Sequence, residues 1–386
     1  SMLGALRGIW VKAGQFAAHR HDVLSREASE ALVDLRDRVP PVGLDAIRAV
    51  LEQELGEPLE RRFRRFDAQP IGAASVAQVH RAELPDGTPV AVKVQYPGLE
   101  ASLPADLALV RAGLRLLARL DRGRGVDTDR LLAEFETGLR AELDFRREAR
   151  VAQEIAANLA GDPSIAVPRI VPSHLTSRVL TMEYQPAVRL TDRAALVRLG
   201  VAAEAVVAIV ARAYARQVFA DGLFHADPHS GNLLVLDEPE AHERPRVLFV
   251  DFGLSRRLEP ELRRSLRRGV YALLQRDTDA FVAHMDGLGM IAPGAAPGVR
   301  QSVDQMFARI GEQGGALAVP GAAVLSLKDQ AKTLLRDTPG LQLPHDLLLL
   351  ARTLSSVFAL GEELAPEVDL MQLTLPRLLQ FLAEKD

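Results

Sequence analysis

Alternating apolar and polar residues predict β-strands in the first half of the chain. Residues 88–96, which follow a turn at residues 85–87, alternate like a hairpin strand that has Lys93 within it. Residues 179–184 form another short apolar run that stops at polar residues. We therefore expect a strand in each place, the second leading into a hinge.

Helical spacing dominates both ends of the chain. Apolar residues recur at helical intervals from residue 1 to about 62 and over residues 261–386. Residues 127–160, rich in Ala, Leu, Glu and Arg, run up to a Gly-Asp-Pro sequence and predict one long helix. Residues 237–246, rich in Pro, Glu and His, predict the exposed tip of a later hairpin. The pattern is that of an α+β protein.

Composition narrows the function classes. With 48% hydrophobic and 25% charged residues, the 386-residue chain is typical of a globular protein that can hold two lobes. A net charge of −4 gives no electrostatic reason to expect nucleic acid as a partner. The absence of cysteine excludes disulfides, thiolate catalysis and cysteine-based zinc sites.

No secretory signal is visible, and the most apolar runs do not read as membrane spans. Residues 202–215 are interrupted by Glu204 and Arg212, and residues 347–360 by Arg352. We expect a location in the cytoplasm or at the periphery of the cytoplasmic membrane.

The strongest chemical signal is a pair of motifs, at residues 224–232 and 250–253. An Asp and an Asn five positions apart, followed by a hairpin that ends at a second Asp, match the catalytic loop and the metal-binding Asp of kinases. Asn232 and Asp251 offer the oxygen ligands that Mg²⁺ prefers. Asp227 is placed to orient a hydroxyl or water, or to accept its proton.

Two other interpretations of these motifs are open. His225, Asp227 and His229 could form the metal cluster of a hydrolase, and Asp-Phe-Gly could be an ordinary junction between a strand and a turn. The pairing of the motifs across a hairpin favours phosphoryl transfer. Since the chain has no cysteine and no helical histidine spacing, we expect His225 to orient the loop rather than to bind zinc.

Lysine usage supports the phosphoryl-transfer interpretation. The chain has 42 arginines and only five lysines, and Lys93 ends a Val-Ala-Val-Lys sequence, the place where kinases hold the α- and β-phosphates. The tetrapeptide alone would fit a surface lysine on an edge strand. Its position 134 residues before Asp227 argues against that.

The expected glycine-rich phosphate loop is missing. Residues 70–80 contain no G-x-G-x-x-G sequence and instead have Ala73, Ala74 and Ser75. Alanine restricts the backbone more than glycine, so we expect nucleotide handling to differ from that of ordinary kinases.

With these motifs the chain resembles the UbiB/ADCK family of atypical protein-kinase-like proteins, a group associated with ubiquinone and other isoprenoid-quinone pathways. The resemblance covers nearly the whole chain. The family's Lys-x-Gly-Gln motif stands at residues 12–15, its Glu-x-Asp motif at residues 142–144, and its alanine-rich loop is present with Gly72 in the first alanine position.

The resemblance implies a two-lobed protein-kinase-like fold with an N-terminal helical extension and a mostly helical C-lobe. We place the extension at residues 1–62, the N-lobe with the alanine-rich loop and hinge at 63–186, and the C-lobe with the catalytic loop at 187–386. The implied cofactors are ATP and Mg²⁺. Family members behave as ATP-binding ATPases or unorthodox kinases.

Helix geometry assigns a carboxylate to Lys93. Asp144 and Glu148 are four residues apart and share a helix face, whereas Glu142 points elsewhere. We predict an ion pair between Glu148 and Lys93, and the resemblance suggests that Gln78 completes this polar cluster. An alternative is a solvated helix face on which Glu and Arg pair locally.

The N-terminal motif is expected to lie near the same site. Glu142 and Asp144 would be free to meet Lys12 and Gln15, which would then occupy the place that a peptide substrate needs. The predicted catalytic residues are Asp227, Lys93, Glu148, Lys12 and Gln15. The predicted cofactor-binding residues are Ala73, Ala74, Ser75, Gln78, Lys93, Met182, Glu183, Tyr184, Asn232 and Asp251, of which Asn232 and Asp251 are the metal ligands.

Three functions are open at this point: an ATPase that assists isoprenoid-lipid handling, a phosphotransferase acting on a protein or small molecule, and a nucleotide-sensing scaffold. The expected partners are a nucleotide and an isoprenoid quinone precursor or lipid, with peripheral membrane association. The basic clusters at residues 61–65 and 263–268 could face a membrane or simply be solvated charge.

Overall fold

A computed structural model describes residues 41–120, 128–312, 338, 340–341 and 344–384 of the protein. The chain divides into two compact units. The first comprises the described residues up to Gln153 together with Pro168–Gln185, and the second comprises Glu154–Val167 and the described residues from Pro186 onward. The α+β class predicted from the sequence is confirmed.

The first unit is built on an antiparallel five-stranded sheet in the order β1-β2-β3-β6-β5. As predicted, strands occupy both alternating runs. The strands are β1 (Arg65–Ala73), β2 (Ala77–Glu83), β3 (Pro89–Gln95), β5 (Ile170–Leu175) and β6 (Val179–Glu183). The helices that begin in this unit are α1 (Leu44–Leu55), α2 (Leu59–Arg62), α3 (Leu99–Leu120), α4 (Thr128–Glu142) and α5 (Phe145–Leu159).

The two faces of this sheet carry different kinds of residue, and the strand register shows which residue lies on which face. Val90, Val92 and Val94 are fully buried on one face, where they form a core with Ile47 and Leu51 of α1. Because successive strand residues point to opposite faces, Lys93 lies on the other face, beside Val79 of β2 and Leu180 of β6.

The prediction of one helix over residues 127–160 is wrong, because the chain breaks at Leu143 and Asp144. The Asp144 side chain accepts a hydrogen bond from the amide of Arg146 at 3.1 Å and so caps the start of α5. The amide of Phe145 donates to the Ser177 carbonyl at 3.0 Å. Aspartate side chains compete in this way with helix continuation, which a count of helix formers does not capture.

The second unit combines small sheets with helices. Its four-stranded sheet has the order β4-β10-β9-β7, and β8 pairs with β11. The strands are β4 (Ile165–Ala166), β7 (Ala187–Arg189), β8 (Leu223–Phe224), β9 (Leu233–Leu236), β10 (Val247–Phe249) and β11 (Arg256–Arg257). The helices are α6 (Arg193–Leu199), α7 (Ala203–Ala215), α8 (Pro260–Gln275), α9 (Thr278–Gly287), α10 (Ala296–Glu312), α11 (His345–Leu364) and α12 (Leu370–Ala383), and α7 continues into a π-helix at Arg216–Asp221.

Two features of this unit bear on the predictions. The predicted later hairpin is present as β9 and β10, with residues 237–246 at its tip. The segment Glu154–Val167, which we had placed in the N-lobe, belongs to this unit because β4 pairs with β10 in parallel.

No single helix among the described residues is long and apolar enough to cross a membrane. The pair Arg193–Leu199 and Ala203–Asp221 meets the length and composition only as two segments bent by 104°.

Most arginines of the two basic clusters are paired with carboxylates, which favours local charge pairing as their role. In the first cluster Arg62, Arg64 and Arg65 pair with Glu57, Glu83 and Asp67, and in the second Arg263 and Arg267 both pair with Glu384 while Arg264 pairs with Glu261.

Candidate functional site

The predicted ion pair between Lys93 and Glu148 is present in the first unit. Nζ of Lys93 donates to both carboxylate oxygens of Glu148, at 2.8 and 2.9 Å. Both residues are buried, with exposures of 7% and 3%, so the pair is shielded from solvent. The ring of Phe145, at the start of α5, lies 5.2 Å from the same Nζ. Lys93 of strand β3 therefore contacts two residues of helix α5, the carboxylate of Glu148 and the ring of Phe145, in a place shielded from solvent.

Gln78 does not complete this cluster, contrary to our expectation. Gln78 is paired in register with Val94 and therefore lies on the sheet face opposite to Lys93. Its side chain accepts from the amide of Val42 at 2.9 Å and donates to the Val42 carbonyl at 3.2 Å. It also contacts His80 at 2.8 Å. Gln78 thus anchors the segment that leads into α1.

The alanine-rich sequence forms a tight turn between β1 and β2. The amide of Ala74 donates to the carbonyl of Ala77 at 2.8 Å. Tyr96 holds the turn from the end of β3, with its hydroxyl donating to the Ala74 carbonyl at 3.1 Å and its amide to the Val76 carbonyl at 3.0 Å. Ser75 is buried within it. This turn is pinned to the sheet, in contrast to a free glycine flap.

The backbone amides at the end of the hinge strand β6 and just after it are hydrogen-bonded within the first unit. The amide of Glu183 donates to the Arg169 carbonyl at 2.9 Å, and that of Tyr184 donates to the Pro89 carbonyl at 3.0 Å. We had predicted Met182, Glu183 and Tyr184 as cofactor-binding residues at this hinge. These two amides are already engaged, so recognition by Glu183 and Tyr184 would fall to their carbonyl groups.

In the second unit, His225 holds the catalytic loop against the Asp-Phe-Gly sequence. Its Nε2 donates to the carbonyls of Val250 and Asp251 at 3.1 and 2.9 Å, and its Nδ1 accepts from the hydroxyl of Tyr214 at 3.1 Å. Both ring nitrogens are therefore used inside the fold. This arrangement supports an orienting role for His225 and argues against the metal cluster considered above.

Tyr214 and the π-helix also hold His225 in place. Burial, and next to it the negative charge of Asp227, raises the pKa of Tyr214 well above 10.0. Its hydroxyl therefore stays protonated as the donor to His225. Gln217, in the π-helix, accepts from the backbone amide of His225 at 2.9 Å through Oε1. A π-turn shifts the side chains that follow it, a device frequent at functional sites.

Both carboxylate oxygens of Asp227 are engaged. Nδ2 of Asn232 donates to Oδ2 at 2.9 Å, and a guanidinium nitrogen of Arg352 donates to Oδ1 at 3.1 Å. Arg352 belongs to α11, and the hydroxyl of its neighbour Thr353 lies 3.2 Å from the carbonyl of Ala226, sharing its one proton between that oxygen and the Leu349 carbonyl at 2.8 Å within the helix. Two adjacent residues of α11 thus dock on the catalytic loop.

Sequence reasoning missed Arg352 as a site residue. We had used it only as a charge that interrupts an apolar run. That interruption was the available signal, because an arginine in an otherwise apolar helix needs a charged or polar partner inside the fold.

Asp251 is held in a left-handed backbone conformation with φ of 61°. Such a conformation is uncommon for a residue other than glycine, and residues held in it cluster at active sites and ligand clamps. Asp251 and Asn232 offer a carboxylate and an amide oxygen, and the bonds from Asn232 to Asp227 use only its nitrogen. These oxygen donors fit Mg²⁺, which binds through one or two carboxylates plus substrate phosphates. Lys12 and Gln15 lie outside the described residues.

Comparison with known sequences identifies a matching domain family and several related proteins. A profile of the ABC1 atypical kinase-like domain matches residues 34–285. The probable protein kinase UbiB of Xanthomonas campestris is 32% identical over 391 residues, covering 99% of this chain and 69% of that protein. An uncharacterised Synechocystis protein is 30% identical over 375 residues, covering 97% of this chain and 62% of the relative.

A plant protein shares the central part of the chain. The chloroplastic ACTIVITY OF BC1 COMPLEX KINASE 8 of Arabidopsis thaliana is 34% identical over 287 residues, covering 74% of this chain and 37% of that protein. The chain thus spans about two thirds or less of the length of the relatives it matches.

Among solved structures, Rv3197 of Mycobacterium tuberculosis, determined as a complex with erythromycin, shares the fold. The two are 23% identical, with a TM-score of 0.57 and 94% of each chain covered. From the profile match and the UbiB relative, the chain belongs to the ABC1 atypical kinase-like family.

Proposed function

We propose that this protein is a Mg²⁺-dependent ATPase on a kinase-like fold, acting in the biosynthesis or handling of ubiquinone or another isoprenoid lipid at a membrane. The observation that carries the proposal is the state of Asp227. The carboxylate that a kinase uses to receive a substrate hydroxyl is bonded at one oxygen to Arg352 and at the other to Asn232. Because each oxygen keeps a further lone pair, we infer that water can still reach the carboxylate, while its two partners leave less room for a bulky acceptor.

The residues present fit ATP and magnesium. Lys93, oriented by Glu148, would hold the α- and β-phosphates, and Asn232 and Asp251 would hold the metal ion. When bound, magnesium neutralises charge on the phosphate oxygens. Asp227 would orient a water molecule, which is small enough to approach a carboxylate that keeps its two partners. His225 keeps the loop in place throughout.

The alanine-rich turn supports the same conclusion from the first unit. Because Tyr96 pins this turn at two points, we infer that it cannot fold over phosphates as freely as a glycine-rich loop. Efficient protein kinases depend on that cover to position the phosphoryl group. A pinned turn is better suited to slow turnover with water or a sheltered small acceptor.

A second candidate function is phosphoryl transfer to a protein or small molecule. It is favoured by the presence of the three polar residues of the catalytic loop and the metal site, Asp227, Asn232 and Asp251. A nucleotide-sensing scaffold with little turnover would need the same residues for binding alone. The lipid or quinone precursor as partner, and peripheral membrane association, are proposed from the family resemblance.

The test is an ATPase assay with and without vesicles containing anionic lipid, and with a quinone-like phenol. We expect phosphate release that rises with one of these additions and is lost in Asp251→Asn. The matched control is Asp237→Asn, at the exposed hairpin tip, which should retain activity. Turnover that survives Asp251→Asn would reject the assigned site. Labelled phosphate appearing on an added acceptor would favour the second function, and ATP binding without turnover would favour the scaffold.

A further inference from the structure

Gln95 lies two residues after Lys93 on β3, so both side chains are on the same face of the sheet. Its amide nitrogen Nε2 donates to the carbonyl of Leu143 at 2.5 Å and to that of Ser177 at 3.1 Å. Gln95 is only 3% exposed. Both hydrogens of the amide are therefore used on partly buried backbone oxygens.

These two carbonyls lie where helix α5 begins. Leu143 is in the break between α4 and α5, where helix carbonyls lack partners of their own. The Ser177 carbonyl also accepts from the amide of Phe145, the first residue of α5, at 3.0 Å. One glutamine side chain thus joins β3, the turn before β6 and the start of α5.

The start of α5 also determines the position of Glu148. Phe145 and Glu148 are three residues apart on the same helix, about 4.5 Å along its axis. Phe145 is fully buried, with its ring 5.2 Å from Nζ of Lys93. A shift at the start of α5 would therefore move both the ring and the carboxylate that surround Lys93.

We propose that Gln95 is the positioning residue that keeps the Lys93–Glu148 pair formed, by tying the start of α5 to the strand that carries Lys93. In protein kinases the position of the corresponding helix controls whether this ion pair forms. Here the helix is fastened at the end of the same strand, two residues from the lysine. The pair is then constitutive and needs no activating movement.

Where it concerns catalysis, this inference rests on the proposed function. The effect of the Gln95 hydrogen bonds on the Lys93–Glu148 ion pair can be measured whether or not that function is correct. The first measurement therefore omits nucleotide. Acetylation of Lys93 by limiting acetic anhydride is followed by mass spectrometry, because a buried, ion-paired ammonium reacts slowly. Gln95→Met removes both donors at similar volume, and Gln95→Glu retains the shape but leaves only acceptors at neutral pH. Folded monomer or oligomer is isolated by gel filtration before labelling.

We expect severalfold faster labelling of Lys93 in both Gln95 variants, approaching that of Glu148→Gln, which removes the partner charge. Val179→Ala is the matched control, since Val179 is fully buried on the opposite face of the same sheet. It should lower the melting temperature without exposing Lys93. Labelling that stays at the wild-type rate in both Gln95 variants, or that rises equally in Val179→Ala, would overturn the proposal.

A double-mutant cycle on nucleotide affinity then tests the link to function. If Gln95 acts only through the ion pair, adding Gln95→Met to Glu148→Gln weakens ATP binding no further than Glu148→Gln alone. Fully additive losses would contradict that route. A wild-type protein that binds no ATP would refute the proposed function, while the labelling rates would still decide the role of Gln95.

Discussion

Arg352 and Asp227 lie 125 residues apart in the sequence and form an ion pair of 3.1 Å in the second unit. The guanidinium comes from the long helix α11, and the carboxylate from the loop that follows β8. Asn232 holds the other oxygen of the same carboxylate. The orientation of the proposed catalytic Asp is therefore determined jointly by its own loop and by a helix near the C-terminus.

Replacing Arg352 with alanine should slow turnover much more than it lowers stability. We expect a fall in kcat of about ten- to a hundredfold, because the carboxylate loses a fixed orientation. The pair is partly exposed, so the free energy of unfolding should fall by only about 1 kcal/mol or less. Steady-state kinetics and urea denaturation measure the two effects.

The matched control for Arg352 is Arg193→Ala. Arg193 also bonds α11, through the carbonyl of Glu363, but at a distance from the catalytic loop. Its replacement should leave kcat unchanged. A rise in turnover in Arg352→Ala would show instead that Arg352 restrains Asp227 from reacting.

Substitutions in the Lys93–Glu148 pair should affect the stability of the protein and its binding of ATP differently. Glu148→Gln leaves a buried lysine without its charge partner and should cost about 3 kcal/mol or more of unfolding free energy. The double variant Lys93→Met with Glu148→Leu should recover much of that stability, because apolar residues of similar size can replace a buried pair. It should not recover ATP binding.

Denaturation and nucleotide titration of these two variants and the wild-type protein check this prediction. Recovery of ATP binding in the double variant would show that Lys93 does not hold phosphates.

Asp144 offers a test of the predicted role of the N-terminal motif. Asp144→Ala removes the cap of α5 and should destabilise the protein by about 1 kcal/mol, whereas Asp144→Asn can still cap the helix. If Asp144 serves only as a cap, the asparagine variant has wild-type stability and activity. Loss of activity in Asp144→Asn at unchanged melting temperature would support the hypothesis that this charge also meets Lys12.

Stability should fall as the pH drops below about 6.5, because of buried histidines in the first unit. Burial lowers the pKa of His80 and of His174 below the ordinary value of 6.5. The Nδ1 of His80 donates to the Asp67 carbonyl and its Nε2 accepts from Gln78, so a second proton has no acceptor. The unfolded chain takes up protons first, and stability is lost from pH 6.5 down to the native pKa values.

Chemical denaturation between pH 5 and 8 measures this slope. His80→Gln should reduce it, and the further change His174→Gln should reduce it again. His242, exposed at the hairpin tip, serves as the control, and His242→Gln should leave the slope unchanged. An unaltered slope in the double variant would place the titrating groups elsewhere.

Much of the site's chemistry could be predicted from patterns of residues that are close together in the sequence. Strand β3 and its lysine followed from alternation and a turn. The partner Glu148 was identified from its spacing to Asp144, although the helix that carries Glu148 begins only at Phe145. The loop from His225 to Asn232 was recognisable because its residues are close in sequence. Gln78 was misassigned, because only the pairing register of β2 with β3 shows which face of the sheet it occupies.

The sequence by itself determined the kinase-like family, the α+β class and the polar residues that could serve a nucleotide and magnesium, since these depend on residue type and local spacing. Only the tertiary structure decided which of those groups are already bonded. Arg352 reaches Asp227, and Gln95 reaches Leu143 and Ser177, across 48 to 125 residues of chain. The physical reason is that a donor removed from water, almost wholly for Gln95 and partly for Arg352, must find an acceptor, and the fold, rather than sequence spacing, brings the two together.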